Sequence, residues 1–281
     1  MPYLFRHAIC NECFEQWTLE DTCREVGKAG YTGIEIAPFT LAADATAIPA
    51  AGRREFRDTI RSSGLGFVGL HWLLVGPKGL HVTTADAAVR ERSWRYIHDL
   101  IDLCADLKAN DADPAVMVFG SPAQRAATGG MPPKDATRNY IDGLASVAPH
   151  AAGRAVTILV EALPIGQCNV VTTLDEAAAI VREIDSPGVR TMFDTHNAVD
   201  EVEPHAVLVD RHFDLIRHVH VNEMDGGYPG TGDYDFAPVL ATLKRRNYAG
   251  WVSLEAFDFK PGPVRIANGS LRHLEGLIAN L

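Results

Sequence analysis

Four residues in the second half of the chain carry the strongest chemical signal: Glu161, Asp194, His220 and Glu255. Each acid follows an apolar run, TILV before Glu161, TMF before Asp194 and VSL before Glu255. A carboxylate at the end of such a run is buried, and a buried unpaired carboxylate is costly. Three of them on neighbouring strands would also repel one another, and a divalent cation relieves both problems. One imidazole with three carboxylates suits a hard or borderline ion, with Mn²⁺ preferred and Mg²⁺, Co²⁺ or Zn²⁺ as alternatives, over a thiolate-type Zn²⁺ site. The competing reading pairs each acid separately with an Arg or Lys, or makes it a helix cap. It suits any one of these residues better than it suits all four.

Other polar residues fall at or near the same strand ends: Asn11, Glu12, Glu35, His71, Trp72, Ser121, His196, Asn222 and Glu223. His218 and His220 are two apart and share one face of a strand. His220 is expected to be the ligand because it lies nearer the strand end, with His218 packed inside. His196 either meets substrate or makes a hydrogen bond behind the site. His71, Trp72 and Phe257 either line the pocket or pack its wall. Asn222 and Glu223 either orient His220 or touch substrate.

The elements that would position these groups alternate along the chain. Apolar runs at Tyr3–Ile9, Gly33–Pro38, Gly66–Val75, Ala115–Gly120, Val156–Leu163, Val189–Asp194, Ile216–Val221 and Gly250–Phe257 read as strands covered on both faces. Stretches with helical spacing lie between them, the clearest from about Ala85 to Ala109, where Trp94, Ile97, Ile101 and Cys104 form one stripe. Thr83 is expected to cap that helix, and Thr173 with Glu176 forms a capping-box pair for another. Further helices are expected over 18–29, 51–63, 134–152, 203–213, 235–243 and 263–280. Eight such units without a linker read as one α/β domain over 1–281, a (β/α)₈ TIM barrel. A doubly wound open sheet is weaker, because no G-x-G-x-x-G follows the first strand. Barrel enzymes place their sites at the C-terminal ends of the strands, where the long loops 76–84 and 121–134 also fall.

The composition agrees. The 281 residues are 47% hydrophobic and 22% charged, as in ordinary globular proteins. A net charge of −10 opposes a nucleic-acid backbone as partner. Five scattered cysteines (Cys10, Cys13, Cys23, Cys104 and Cys168) build no disulfide framework, so a cytoplasmic location is expected. Cys10 and Cys13 form a lone C-x-x-C, read as two semi-buried residues rather than a zinc or redox motif. Neither a signal peptide nor a membrane span is recognisable.

The chain resembles the xylose-isomerase-like sugar phosphate isomerase/epimerase superfamily, metal-dependent (β/α)₈ barrels. The likeness runs over nearly the whole chain. It is carried by Cys10-Asn11-Glu12, GIEI at 33–36, LHWLL at 70–74, FGSPAQR at 119–125, VEALP at 160–164, MFDTHN at 192–197, HVHVNE at 218–223, PGTGDYDF at 229–236 and GWVSLEAF at 250–257. It implies Glu161, Asp194, His220 and Glu255 as ligands, with Glu161 and Glu255 as the acid/base pair on opposite faces of a sugar or polyol ketone. A proton beside the carbonyl would be removed to give a metal-bound enediolate and then returned. Return to the same carbon is epimerisation, and return to its neighbour is isomerisation.

The sequence departs from the ketose 3-epimerase pattern around the substrate. His196 follows Asp194 by two residues rather than three, and Asn197 takes the third place. Gln167 stands for an expected glutamate, and Gly226 for an expected arginine. Arg125 either binds an anionic group of the substrate or makes a structural contact. The resemblance also implies a homo-oligomer. Three competing functions remain at this level. A lyase or dehydratase on a keto-sugar, keto-inositol or 3-keto C-glycoside would share the first proton abstraction. A DNA-repair endonuclease needs further zinc ligands that Gly120-Ser121 and Asn197 do not provide. A non-catalytic sugar-binding protein has no use for the intact ligand set.

Overall fold

The computed structural model describes residues 5–108 and 113–281. Eight parallel strands close in sequence order: β1 (Arg6–Cys10), β2 (Gly33–Ile36), β3 (Gly66–Leu70), β4 (Ala115–Phe119), β5 (Val156–Val160), β6 (Val189–Asp194), β7 (Ile216–Val221) and β8 (Trp251–Leu254). β1 pairs with β8 to complete the barrel. Helices α1 (Leu19–Ala29), α2 (Ala50–Ser62), α3 (Ala87–Leu107), α4 (Pro122–Arg125), α5 (Pro133–Gly153), α6 (Leu174–Ile184), α7 (His205–Arg211), α8 (Ala237–Arg245) and α9 (Pro263–Ile278) connect them. The (β/α)₈ expectation therefore holds. Tyr3, at the start of the first expected strand, and Ala109, at the end of the third expected helix, lie outside the described residues.

β6 and β7 match their apolar runs, but several other strands are shorter than theirs. The third ends at Leu70, and the next residues turn away, with Trp72 at φ 50°. The fifth ends at Val160 and the eighth at Leu254, so Glu161 and Glu255 each stand one residue beyond the ladder. Apolar character persists past the last ladder bond because these turns remain buried, which hydrophobicity alone does not separate from strand. The expected cap of α3 is corrected: Asp86, not Thr83, accepts from the Ala88 and Val89 amides. Thr83 instead donates to the Arg125 and Ala126 carbonyls across the loop. Thr173 does cap α6, while the Glu176 carboxylate takes the Thr172 amide.

Most of the core lies between the barrel and its helical jacket, with Phe119, Tyr140 and Trp94 in mutual ring contact. A smaller cluster of Ala8, Val68, Val116, Val118, Leu159 and Met192 packs with Trp251. Gly33 makes room for it, since a Cβ there would lie 2.6 Å from the Trp251 ring. Above that plug, register sets the polar layer. Cys10 pairs with Glu35, and Asp194 with His220, so each pair projects from neighbouring strands at one level. All five cysteines are buried and free. Among the described residues no helix is long and apolar enough to cross a membrane.

Candidate active site

The ends of β5 to β8 bring Glu161, Asp194, His220 and Glu255 together. One ligand atom from each lies within 4.8 Å of the others, and all four residues are buried. Nδ1 of His220 stands 2.9 Å from Glu255 Oε2 and 3.5 Å from Asp194 Oδ2. In each carboxylate one oxygen is held by a donor outside the cluster. Trp72 Nε1 donates to Glu255 Oε1 at 2.8 Å, Asn197 Nδ2 to Glu161 Oε1 at 3.0 Å, and the Asn197 amide to Asp194 Oδ1 at 2.8 Å. The second oxygens of Asp194 and Glu255 are those that approach His220. A Cβ on Gly120 would lie 2.2 Å from Glu161 Oε2, so the glycine leaves that oxygen its space.

The electrostatics explain why such a set calls for a cation. Burial, reinforced by Glu255 and Asp194, pushes the Glu161 carboxyl up to about 8. Burial also raises Glu255, against the opposing pull of His220. For Asp194 burial acts upward, but the hydrogen bond and charge of His220 overcome it and hold the carboxyl below its ordinary value. His220 is driven well above the ordinary histidine range, because Glu35 and Glu255 outweigh its burial. Three oxygens and one nitrogen converging in a buried, net-anionic space have the donor chemistry for a divalent ion.

A cavity of about 460 Å³ opens over this set. Glu161, Glu255, Trp72, Gln167, His196, Asn197 and Phe257 line it, together with the 120–124 segment, Val75, Leu163 and Lys78. His196 Nδ1 donates to the Met224 carbonyl at 2.8 Å, which leaves Nε2 facing the Gln167 amide at 3.5 Å. Trp72 stacks between Phe39 and Phe257, with centroids 6.0 and 6.2 Å away.

Three expected substrate contacts lie elsewhere. Arg125 is fully buried and donates through Nη1 to the Phe119 and Glu161 carbonyls, both at 2.8 Å, while its guanidinium packs over Tyr140. It ties β4 to the end of β5 from behind the pocket. His71 is fully buried, with Nε2 2.5 Å from Glu12 Oε2 and Nδ1 3.7 Å from Glu35 Oε1. Glu223 accepts from the Gly230 and Tyr234 amides and so pins the loop after β7. Asn222 reaches Asp194 Oδ2 and the His196 amide rather than His220. The sequence reading gave no role to Gly120 or Glu12. Glu12 lacks the signal used for the ligands, because the polar Asn11 separates it from the apolar run that ends at Cys10.

Residues 23–277 match the family described as xylose isomerase-like TIM barrel.

The chain belongs to that family.

Within the xylose isomerase-like barrels, the L-ribulose 3-epimerase of Methylomonas sp. (strain DH-1) is 25% identical over 241 residues, 78% of this chain and 83% of that protein. Two solved structures share the fold. The D-psicose 3-epimerase of Clostridium cellulolyticum H10 superposes with a TM-score of 0.84 at 18% identity, covering 98% of this chain and 99% of that one. The 3-keto-D-glucoside 4-epimerase of E. coli gives 0.82 at 19% identity, covering 97% and 99%.

Proposed function

We propose that this chain is a divalent-metal-dependent sugar epimerase that moves a proton at a carbon beside a ketone. The observation that carries the reading is the pair Glu161 and Glu255, two buried carboxylates in one ligand cluster that line the same cavity. The similarity to an L-ribulose 3-epimerase supports carbohydrate as the substrate class and epimerisation over isomerisation. A bound divalent ion would be held by Glu161, Asp194, His220 and Glu255, and would supply Lewis-acid polarisation of the substrate carbonyl.

The remaining work falls to side chains. One glutamate accepts the proton of the C–H bond, whose electron pair moves toward the carbonyl oxygen. The other glutamate delivers a proton to the same carbon from the opposite face, which inverts it. Trp72 and Asn197 each hold one carboxylate oxygen, so the other stays free for ion or proton. Trp72 and Phe257 give the sugar an aromatic wall. His196 and Gln167 offer polar atoms to its hydroxyls.

The test is incubation of the Mn²⁺-loaded protein with a panel of ketoses in D₂O. An epimer carrying deuterium at the inverted carbon is expected, with none formed by Glu161→Gln or Glu255→Gln. Release of water or of an aglycone would replace this reading with a lyase. No solvent exchange on any keto-sugar would remove it.

A further inference from the structure

The face of His220 turned away from the ligand set meets a group that the reading above leaves unused. Glu35, on β2, reaches across the barrel to β7 and places Oε1 and Oε2 at 3.2 and 3.3 Å from His220 Nε2. The side chain is fully buried and is itself held in place. His218 Nε2 donates to Oε2 at 2.8 Å, and His71 Nδ1 lies 3.7 Å from Oε1. Among the described residues, the other polar atom that hydrogen-bonds toward His220 Nε2 is the Cys10 thiol, at 3.9 Å.

A neutral imidazole carries one N–H, and an ionised carboxylate only accepts. Nδ1 is the nitrogen that looks into the ligand cluster, toward Glu255 Oε2 and Asp194 Oδ2. We propose that Glu35 is a positioning residue for the metal centre: it takes the Nε2–H hydrogen bond of His220, so that the Nδ1 lone pair faces the ion. Carboxylate partners of this kind fix the ring and raise its basicity as a ligand. Without Glu35, the thiol would be the remaining acceptor, and a thiol is a weak one. The proton could then settle on Nδ1 and point an N–H at the place of the ion. His218 fixes the orientation of Glu35, which gives a role to the second histidine of the HVH run. The inference rests on the metal-dependent reading given above.

Mn²⁺ affinity of Glu35→Leu, which leaves no acceptor at that place, measured by titration calorimetry on protein with unchanged circular dichroism, is expected to fall about 10–100-fold. Binding within twofold of wild type would overturn the role of Glu35 and leave the metal site standing. Wild-type protein that binds no Mn²⁺ would overturn both. A second measurement needs no variant. In the Zn²⁺-loaded wild type, the long-range ¹H–¹⁵N spectrum of the His220 ring is expected to show a proton on Nε2 and a metal-shifted Nδ1. The opposite assignment would overturn the proposal even if Glu35→Leu did not fold.

Discussion

Trp72 Nε1 donates to Glu255 Oε1 at 2.8 Å, tying the loop after β3 to the end of β8 across the mouth of the barrel. The indole can do this because the chain turns at Trp72 with φ 50° and the ring is clamped between Phe39 and Phe257. The clamped ring borders the pocket, and its Nε1 aims the Glu255 carboxylate.

Replacing Trp72 with Phe keeps an aromatic ring but removes the donor. A hydrogen bond to a charged group contributes roughly 1.5–3 kcal/mol. The expected result is a fall in kcat of about 10–100-fold, with KM changed far less. Trp72→Ala, which also empties the stack, should impair both. Steady-state kinetics on the best ketose decides, and an unchanged kcat for the Phe variant would make Trp72 wall only.

Gly120 tests the placement of Glu161. Its backbone does not require glycine, since its φ lies outside the left-handed region, but a Cβ would come 2.2 Å from Glu161 Oε2. Gly120→Ala should therefore fold and still displace the carboxylate. Misplacement of a reacting group by about 1 Å can cost ~10²-fold in rate. Activity should fall on that scale while circular dichroism and oligomeric state stay as in wild type. Full activity would mean that Glu161 can retreat without consequence.

How much of this was legible beforehand follows from which forces act locally. The proposed ligands are readable because an acid that closes an apolar run is a conspicuous conflict, and Glu161, Asp194 and Glu255 each show it. Arg125 stays open between substrate and scaffold in the sequence, because nothing in FGSPAQR tells whether a guanidinium turns toward the pocket or back onto the carbonyls of Phe119 and Glu161. That choice is made by Tyr140 and β5, distant in sequence. His71 and Glu223 stay open between substrate and scaffold for the same reason. Their partners, Glu12 and the amides of Gly230 and Tyr234, become neighbours only when the barrel closes. Glu35 stood in view within GIEI, but its partner histidines sit across the barrel and no spacing rule links them.

The raised Glu161 carboxyl gives metal-free protein a pH signature. Its folded value of about 8 lies above the ordinary 4.5, so the fold favours the protonated form. Below pH 4.5 both folded and unfolded chains carry the proton, and nothing is lost. Between 4.5 and 8 the unfolded chain ionises first, so this group withdraws stability as pH rises, and above 8 the loss is complete. Glu161→Gln has no such term. In chelator, its Tm relative to wild type should climb between pH 5 and pH 8 by roughly 10 °C, since three pH units at ~1.4 kcal/mol each act on a scale where ~1 kcal/mol moves Tm by 2–4 °C. A constant difference across that range would show that the Glu161 carboxyl is not raised by its surroundings.

Metal removal tests the whole cluster, and Asp194 is the residue to vary. Its Oδ1 accepts the Asn197 amide and its Oδ2 faces His220, so Asp194→Asn keeps the shape and the backbone contact while removing one charge and one anionic donor. An ion that binds only the folded state stabilises it by ~2.7 kcal/mol at a hundredfold excess over Kd. Wild-type protein should therefore gain roughly 5–10 °C in Tm with saturating Mn²⁺ and lose it again in chelator. Asp194→Asn should start below the Tm of metal-free wild type, because the carboxylate that His220 holds below its ordinary value favours the fold when ionised, and should gain little on adding Mn²⁺. Scanning fluorimetry of both proteins, with and without metal, measures this directly. An equal gain in the variant would mean that the ion binds somewhere other than the ends of β5 to β8.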